Sequence, residues 1–240
     1  MVMASRKTRR RPGRWLAGII LGPVAITVLL VLPLRWLPPF TSSFMLITRF
    51  SAPSDAGALR YDWVARRQIS LRAAQAVLAA EDQKFFTHHG FDFASIRRAV
   101  EHNQRSQRTR GASTLSQQLA KNLYLWPERS WLRKGLEVWF TAWLELLLPK
   151  NRILELYLNI AQFGPTVFGV EAASRLYYGK SAERLNRNEA ALLAAVLPNP
   201  VRMRVANPSV YVRRRQAWIM GQSARIERAG LVTAANWVQP

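Results

Sequence analysis

The sequence predicts a mainly α-helical domain preceded by a single transmembrane helix. Three observations carry that expectation. Trp15 to Leu34 runs without a charge, long enough to cross the hydrocarbon core of a bilayer. From Asp62 to Pro200 apolar residues recur at helical spacing, separated by short loops rich in Gly, Pro and Asn. No alternating strand pattern of useful length is visible, nor any internal repeat or low-complexity tract.

Composition narrows the class further. A chain of 240 residues has room for one sizeable domain and an anchor. Cysteine is absent, which excludes disulfides and thiolate metal sites but leaves the compartment open. A formal charge of +21 calls for an anionic partner: nucleic acid, an acidic membrane surface or a phosphorylated substrate.

Taken in order, residues 1–14 form a basic tail carrying Arg6, Lys7, Arg9, Arg10, Arg11 and Arg14. Positive charge on this side favours a cytoplasmic N-terminus, with everything after Arg35 on the far side. The anchor occupies 15–37, and its Pro23 and Pro33 are tolerable near the ends of a span or with a kink. A cleaved secretory signal is the rival reading, but the apolar run is long and no clear Ala-x-Ala site follows it. Pro38-Pro39 opens a linker over 38–58, whose Phe44-Met45-Leu46-Ile47 suits either a membrane surface or a core. The main domain takes 59–205. Its helices are expected at Ser70–Lys84, Phe93–Asn103, Thr114–Leu123, Ser130–Leu148, Lys150–Ala161, Val167–Leu176 and Asn188–Val196. A tail over 206–240, with a helical-looking Val212–Arg228, should pack on the edge of the same domain.

Chemistry is suggested first by Glu81. Ala74, Val77 and Leu78 lie seven, four and three residues before it, so a helix would place its carboxylate on the stripe facing the core. A charge there is costly unless it is paired or keeps its proton, and chains accept such a cost where a tuned acid or base is needed. The plainer alternative is that Glu81 ends the helix and pairs with Lys84.

Two further stretches stand out. Thr114 and Gln117 have the spacing of a capping box, so a helix should start where the loop Gly111-Ala112-Ser113 ends. A small-residue loop feeding a helix N-terminus is a natural anion seat, and Lys121 follows on the same face as Thr114 and Gln117. Capping with a solvated lysine would explain the same residues. The approaching loop carries Arg105, Arg108 and Arg110 and reads as mobile. Downstream, Arg133 and Lys134 precede Glu137 by four and three residues, placing two cations and a carboxylate on one helical face. Such a cluster on a surface is worth under about 1 kcal/mol. The flanking Trp131, Trp139, Phe140 and Trp143 suggest burial instead.

These residues fall into ordered blocks: Glu81-Asp82-x-x-Phe85-x-x-His88-x-Gly90, Gly111-x-Ser113-Thr114-x-x-Gln117-Gln118-x-x-Lys121-Asn122, Arg133-Lys134-x-x-Glu137 and Lys150-x-x-Ile153-Leu154-Glu155-x-Tyr157-Leu158-Asn159. A last block runs from Leu185 to Pro200 with Glu189 and Ala190. In order and spacing the chain resembles the peptidoglycan glycosyltransferases, and within them the monofunctional biosynthetic transglycosylases. Bifunctional relatives add a transpeptidase domain, whose Ser-x-x-Lys and Lys-Thr-Gly motifs are absent here. Ala112 and Leu136 depart from the usual pattern, and Leu136 would remove one pyrophosphate contact.

The resemblance implies a lysozyme-like helical fold and polymerisation of lipid II into glycan strands by inverting displacement of polyprenyl pyrophosphate. Glu81 would be the general base and Glu137 the second acidic residue. Lys121, Arg129, Arg133 and Lys134 would serve the donor's pyrophosphate, with a divalent metal, Mg²⁺ or Mn²⁺, held through Glu137. Ser113, Thr114, Gln117 and Gln118 would shape the donor pocket, with Asp82, Lys84, Phe85 and Asn122 completing the substrate-binding set. His88 and His89 read as structural. The implied partners are lipid II, the growing strand, the bacterial inner membrane and other cell-wall synthesis or division proteins, with no nucleic acid. A lysozyme-like lytic enzyme would share the fold and a lone glutamate, but would not need the cations. A basic tether or nucleic-acid binder would explain the charge but not the spaced acidic and amide blocks.

Overall fold

The computed structural model describes the backbone of residues 12–51, 57–106, 111–233, 235 and 237, and side chains from residue 21 onward. The basic tail before Pro12, together with Arg108 and Arg110, lies outside the described residues. Helix α1 (Pro12–Val31) runs into a 3-10 turn at Leu32–Arg35. Among the described residues no helix is long and apolar enough to cross a membrane. The C-terminal end of α1 is fastened to the domain. Trp139 Nε1 donates to Thr27 Oγ1 at 2.9 Å, the Tyr124 hydroxyl donates to Leu30 O at 3.2 Å, and Val31 is fully buried.

The stretch that reads as a linker holds a second helix, α2 (Ser43–Ser51), with Met45 buried. The Ser43 hydroxyl donates to the carbonyls of Asn122 and Leu125, fastening α2 to the end of a later helix. Thus Phe44–Ile47 is partly core, while Leu46 and Phe50 remain exposed.

The sequence pattern gave no strand, yet three short ones form a sheet in the order β1-β3-β2. β1 (Arg60–Tyr61) pairs in parallel with β3 (Val167–Phe168), and β2 (Gln162–Gly164) pairs with β3 antiparallel across a bulge. Two- and three-residue strands are too short to show alternation, and β2 and β3 are almost wholly buried. The helix expected from Val167 therefore begins three residues later, as α8 (Val170–Tyr178). Gly169 between them has φ +85°, and a Cβ there would come within 2.5 Å of Asn159 O, so only glycine fits.

The central helix α3 (Leu71–Glu81) stops three residues short of the expected Lys84. Asp82 leaves the helical region at φ −159° because its carboxylate is used elsewhere, and a 3-10 turn follows at Phe85–Thr87. Helix α4 (Phe93–Arg105), capped by Asp92, runs further than predicted and absorbs Arg105. Then come α5 (Leu115–Tyr124) and α6 (Trp131–Leu147), capped by the Thr114 and Ser130 side chains, and α7 (Lys150–Ile160), which follows Pro149. The last two are α9 (Arg187–Val196) and α10 (Val210–Arg228). Helices α3, α9 and α10 pack on one another, and α5 packs on α6 and α7. Ala74, Val77 and Leu78 of α3 and nearly all of α9 are buried, so the core lies around α3. The tail helix α10 is thus a wall of the domain.

Candidate active site

Glu81 is the last residue of α3, and its side chain is 12% exposed. It does not pair with Lys84. Oε1 receives Arg215 Nη2 from α10 at 3.0 Å, and Oε2 receives Gln118 Nε2 from α5 at 2.9 Å. Gln118 is itself fixed by the Tyr157 hydroxyl of α7, which donates to its Oε1 at 2.9 Å. Burial pushes the Glu81 carboxyl above the ordinary range, while Gln118, Arg215 and Lys121 oppose that rise.

Asp82 is buried and serves the neighbouring backbone. Its Oδ2 accepts the Leu115 N–H at 3.0 Å, at the start of α5, and His88 Nε2 lies 3.0 Å from both oxygens. A carboxylate at a helix N-terminus is favourable and ties the Glu81 segment to the α5 segment. His88 is structural, as expected. Gly90 adds to the tie. Its carbonyl accepts from Thr114 Oγ1 at 2.6 Å, and at φ +85° a Cβ would meet Thr141 Cγ2 at 2.9 Å.

Three cavities touch the loop Gly111–Ser113, two of them polar. The first, about 490 Å³, is lined by Glu81, Asp82, Lys84, Arg98, Arg215 and Trp218 among others. The second, about 450 Å³, is lined by Gln117, Gln118, Lys121, Arg129, Arg133, Lys134 and Glu137, and both share Gly111 and Ser113. Ser113 is exposed at the rim, whereas Thr114 and Gln117 form the predicted capping box and are buried.

The cation cluster is built as the spacing implied, and it is buried on its helix side. Arg133 Nη1 meets Glu137 Oε2 at 2.7 Å, and Lys134 Nζ meets Oε1 at 2.6 Å. Glu137 is 3% exposed, so this is no surface pair. Lys121 stands over the Phe44 ring at 5.5 Å. Burial pushes its pKa down, with Glu137 and Glu81 opposing. Arg129 is exposed at the cavity edge.

Two expected site residues lie elsewhere. Phe85 is a core side chain, 1% exposed, packed on Phe86 and beneath Lys150 Nζ at 4.4 Å; the helix break at Asp82 turns it inward. Asn122 lines neither cavity, and its carbonyl receives the Ser43 hydroxyl. Sequence reasoning also missed Arg215. It lies in the tail helix expected only to pack on the domain's edge, where it stands between Val212 and Ile219 on the buried stripe of α10. That periodicity was the available signal.

The arrangement can do two things side by side. A carboxylate with a raised pKa can take a proton at the first cavity, and four basic side chains can hold a departing anion at the second. Comparison with known proteins gives the family. The family model described as Transglycosylase matches residues 50–224. The chain is similar to a protein named biosynthetic peptidoglycan transglycosylase in Aeromonas hydrophila, 51% identical over 214 residues, covering 88% of this chain and 91% of that one. Proteins of the same name match from Shewanella oneidensis, at 49% over 217 residues (90% and 93% of the two chains), and from Pseudomonas aeruginosa, at 50% over 201 residues (83% and 87%).

Proposed function

The chain belongs to the transglycosylase family, and from that premise we propose that Glu81 and the Lys121–Arg133–Lys134 cluster divide the polymerisation reaction between them. The protein is a peptidoglycan glycosyltransferase that joins lipid II into glycan strands. The acceptor's 4-hydroxyl gives its proton to Glu81 as its oxygen attacks the donor's anomeric carbon. The bond from that carbon to the pyrophosphate oxygen breaks, and the leaving pyrophosphate carries away its electron pair. Attack from the opposite face inverts the configuration. A pyrophosphate needs little protonation to leave, so cations suit its end better than an acid does.

The observation that carries this reading is the pair of cavities meeting at Gly111 and Ser113, with a carboxylate in one and the basic cluster in the other. A lytic enzyme would have no task for Lys121, Arg129, Arg133 and Lys134 and is not favoured.

A divalent cation, Mg²⁺ or Mn²⁺, belongs to the same proposal, with the pyrophosphate bringing most of its ligands. Glu137 would be the protein carboxylate nearest to it. Both Glu137 oxygens are engaged by Arg133 and Lys134, and no cluster of three or more His, Cys, Asp or Glu suited to a metal occurs among the described residues. The protein groups alone do not fit a resident metal.

The proposal extends to a single-pass inner-membrane anchor over residues 15–37, read from the sequence, with a cytoplasmic N-terminus and the domain in the periplasm. The basic residues before Trp15 and the apolar run after it support this orientation. Exposed Trp131 and Leu132, directly before Arg133 on α6, suit a lipid surface beside the basic cluster. Cell-wall synthesis and division proteins are the candidate protein partners.

Detergent-solubilised protein incubated with purified lipid II should release polyprenyl pyrophosphate and yield β-linked glycan. Fragmentation of preformed glycan without polymer formation would overturn the reading in favour of a lytic enzyme.

A further inference from the structure

Arg215 is not among the blocks that carry the family resemblance, yet it makes the only ion pair seen to Glu81 among the described residues. We propose that Arg215 is a positioning residue for the base, holding the Glu81 carboxylate ionised and turned toward the first cavity. This rests on the reading of Glu81 as the base.

The geometry is specific. Arg215 Nη2 reaches Glu81 Oε1 at 3.0 Å and has a longer contact to Ala80 O at 3.4 Å, so it grips both the side chain and the end of α3. Its Nε is buried and meets no acceptor among the described residues, so Glu81 is the principal partner of the guanidinium. The two side chains are 20% and 12% exposed, where an ion pair feels little solvent screening. Arg215 also lines the first cavity, so the pair sits where an acceptor hydroxyl would arrive.

Other groups face Glu81 as well. From α5 come the Gln118 amide and the more distant Lys121 ammonium, and from α7 the buried Tyr157 hydroxyl. Helix α9 presents buried apolar residues, and on the following turn Asp82 is taken up by Leu115 N and His88. Gln118 fixes one oxygen but is neutral, and Lys121 is shared with Glu137. Arg215 is therefore the cation in direct contact that offsets the burial of the carboxylate. Removing it should leave a folded enzyme whose base is protonated over a wider range of pH.

The test is the pH dependence of kcat/KM for Arg215→Gln beside wild type and Arg215→Lys. The acidic limb should move up by about one pH unit in Arg215→Gln, the size of an opposite charge lost at contact distance. Activity should recover toward wild type above that limb. Arg215→Lys keeps a cation with a shorter reach, so its limb should lie between the two. If Arg215→Gln does not fold, the Arg215→Lys shift alone decides. An unmoved limb with a raised KM would overturn the proposal and make Arg215 an anion contact for substrate. Glu81→Gln assayed alongside separates the two levels: full activity there removes the base itself, whereas an inactive Glu81→Gln with an unmoved Arg215 limb removes only this inference.

Discussion

Gln118 donates its side-chain amide to Glu81 Oε2 at 2.9 Å, and it can do so in one orientation only, because the Tyr157 hydroxyl claims its Oε1. The glutamate thus ends a chain of fixed side chains reaching from α7 through α5 to α3. A base presented this way needs little rearrangement when substrate arrives.

Replacing Glu81 by Gln keeps its shape and removes its ability to take a proton. Turnover of lipid II should fall by about 10²–10⁴-fold. The new amide oxygen can still accept from Arg215 or Gln118, so the melting temperature should move by no more than about 4 °C. Melting and turnover measured on one preparation check both. Loss of fold with loss of activity would make Glu81 a structural cap.

The pH profile of kcat/KM should be a bell narrowed from both sides. Burial raises Glu81, so the acidic limb should lie above the ordinary carboxylate value. Burial lowers Lys121, so the alkaline limb should lie below that of a free lysine. Stability follows the same signs. Glu81 contributes fully below its unfolded pKa, and that contribution is lost as pH rises through the raised folded value. An acidic limb at the ordinary carboxylate value would show that burial does not govern the base.

At the pyrophosphate end, Lys121→Ala should raise the barrier by about 2–4 kcal/mol, the usual loss for one preorganised charge contact. Arg129→Ala should also slow turnover while changing stability by less than about 0.5 kcal/mol, since Arg129 is exposed. Near-wild-type polymerisation by folded Lys121→Ala would leave this lysine as helix surface.

Glu137 has two tasks that one variant can separate. Glu137→Gln leaves Arg133 and Lys134 without their shared counter-charge, which should cost about 1–3 kcal/mol of stability because Arg133 and the replaced carboxylate are buried, Lys134 being half-exposed. The rate should fall about ten-fold or more, equivalent to at least about 1.4 kcal/mol. Added Mg²⁺ or Mn²⁺ should restore part of that rate if the carboxylate helps to hold a metal. A destabilised enzyme at full rate would confine Glu137 to structure.

Orientation in the membrane is checked by a reporter fused after Pro240. It should be active in the periplasm and silent as a cytoplasmic marker. The reverse pattern would separate this domain from the side on which the glycan is assembled.

Much of this was legible beforehand, for definable reasons. The apolar spacing before Glu81 and the capping box at Thr114 are local signals, and both appear as expected. Arg133, Lys134 and Glu137 are neighbours on one helix, so their pairing follows from spacing alone. What escaped depends on distant contacts. Asp82 ends α3 early because it serves α5, and Phe85 turns inward in consequence. The strands Arg60–Tyr61 and Val167–Phe168 pair across more than a hundred residues and are too short to carry a pattern. Arg215 reaches Glu81 from the far end of the chain, out of a tail helix expected only at the domain's edge.

The lysine over Phe44 carries a practical consequence for anyone producing this enzyme in soluble form. A truncation beginning at residue 59 would look conservative, since it leaves every polar residue of the two cavities in place. It would nevertheless take away the ring beneath Lys121 and the serine that donates to the carbonyls of Asn122 and Leu125. The lysine would become better hydrated and the end of its helix looser. A sluggish trimmed enzyme would then report a missing wall of the catalytic site, where loss of membrane attachment would be the first explanation to hand.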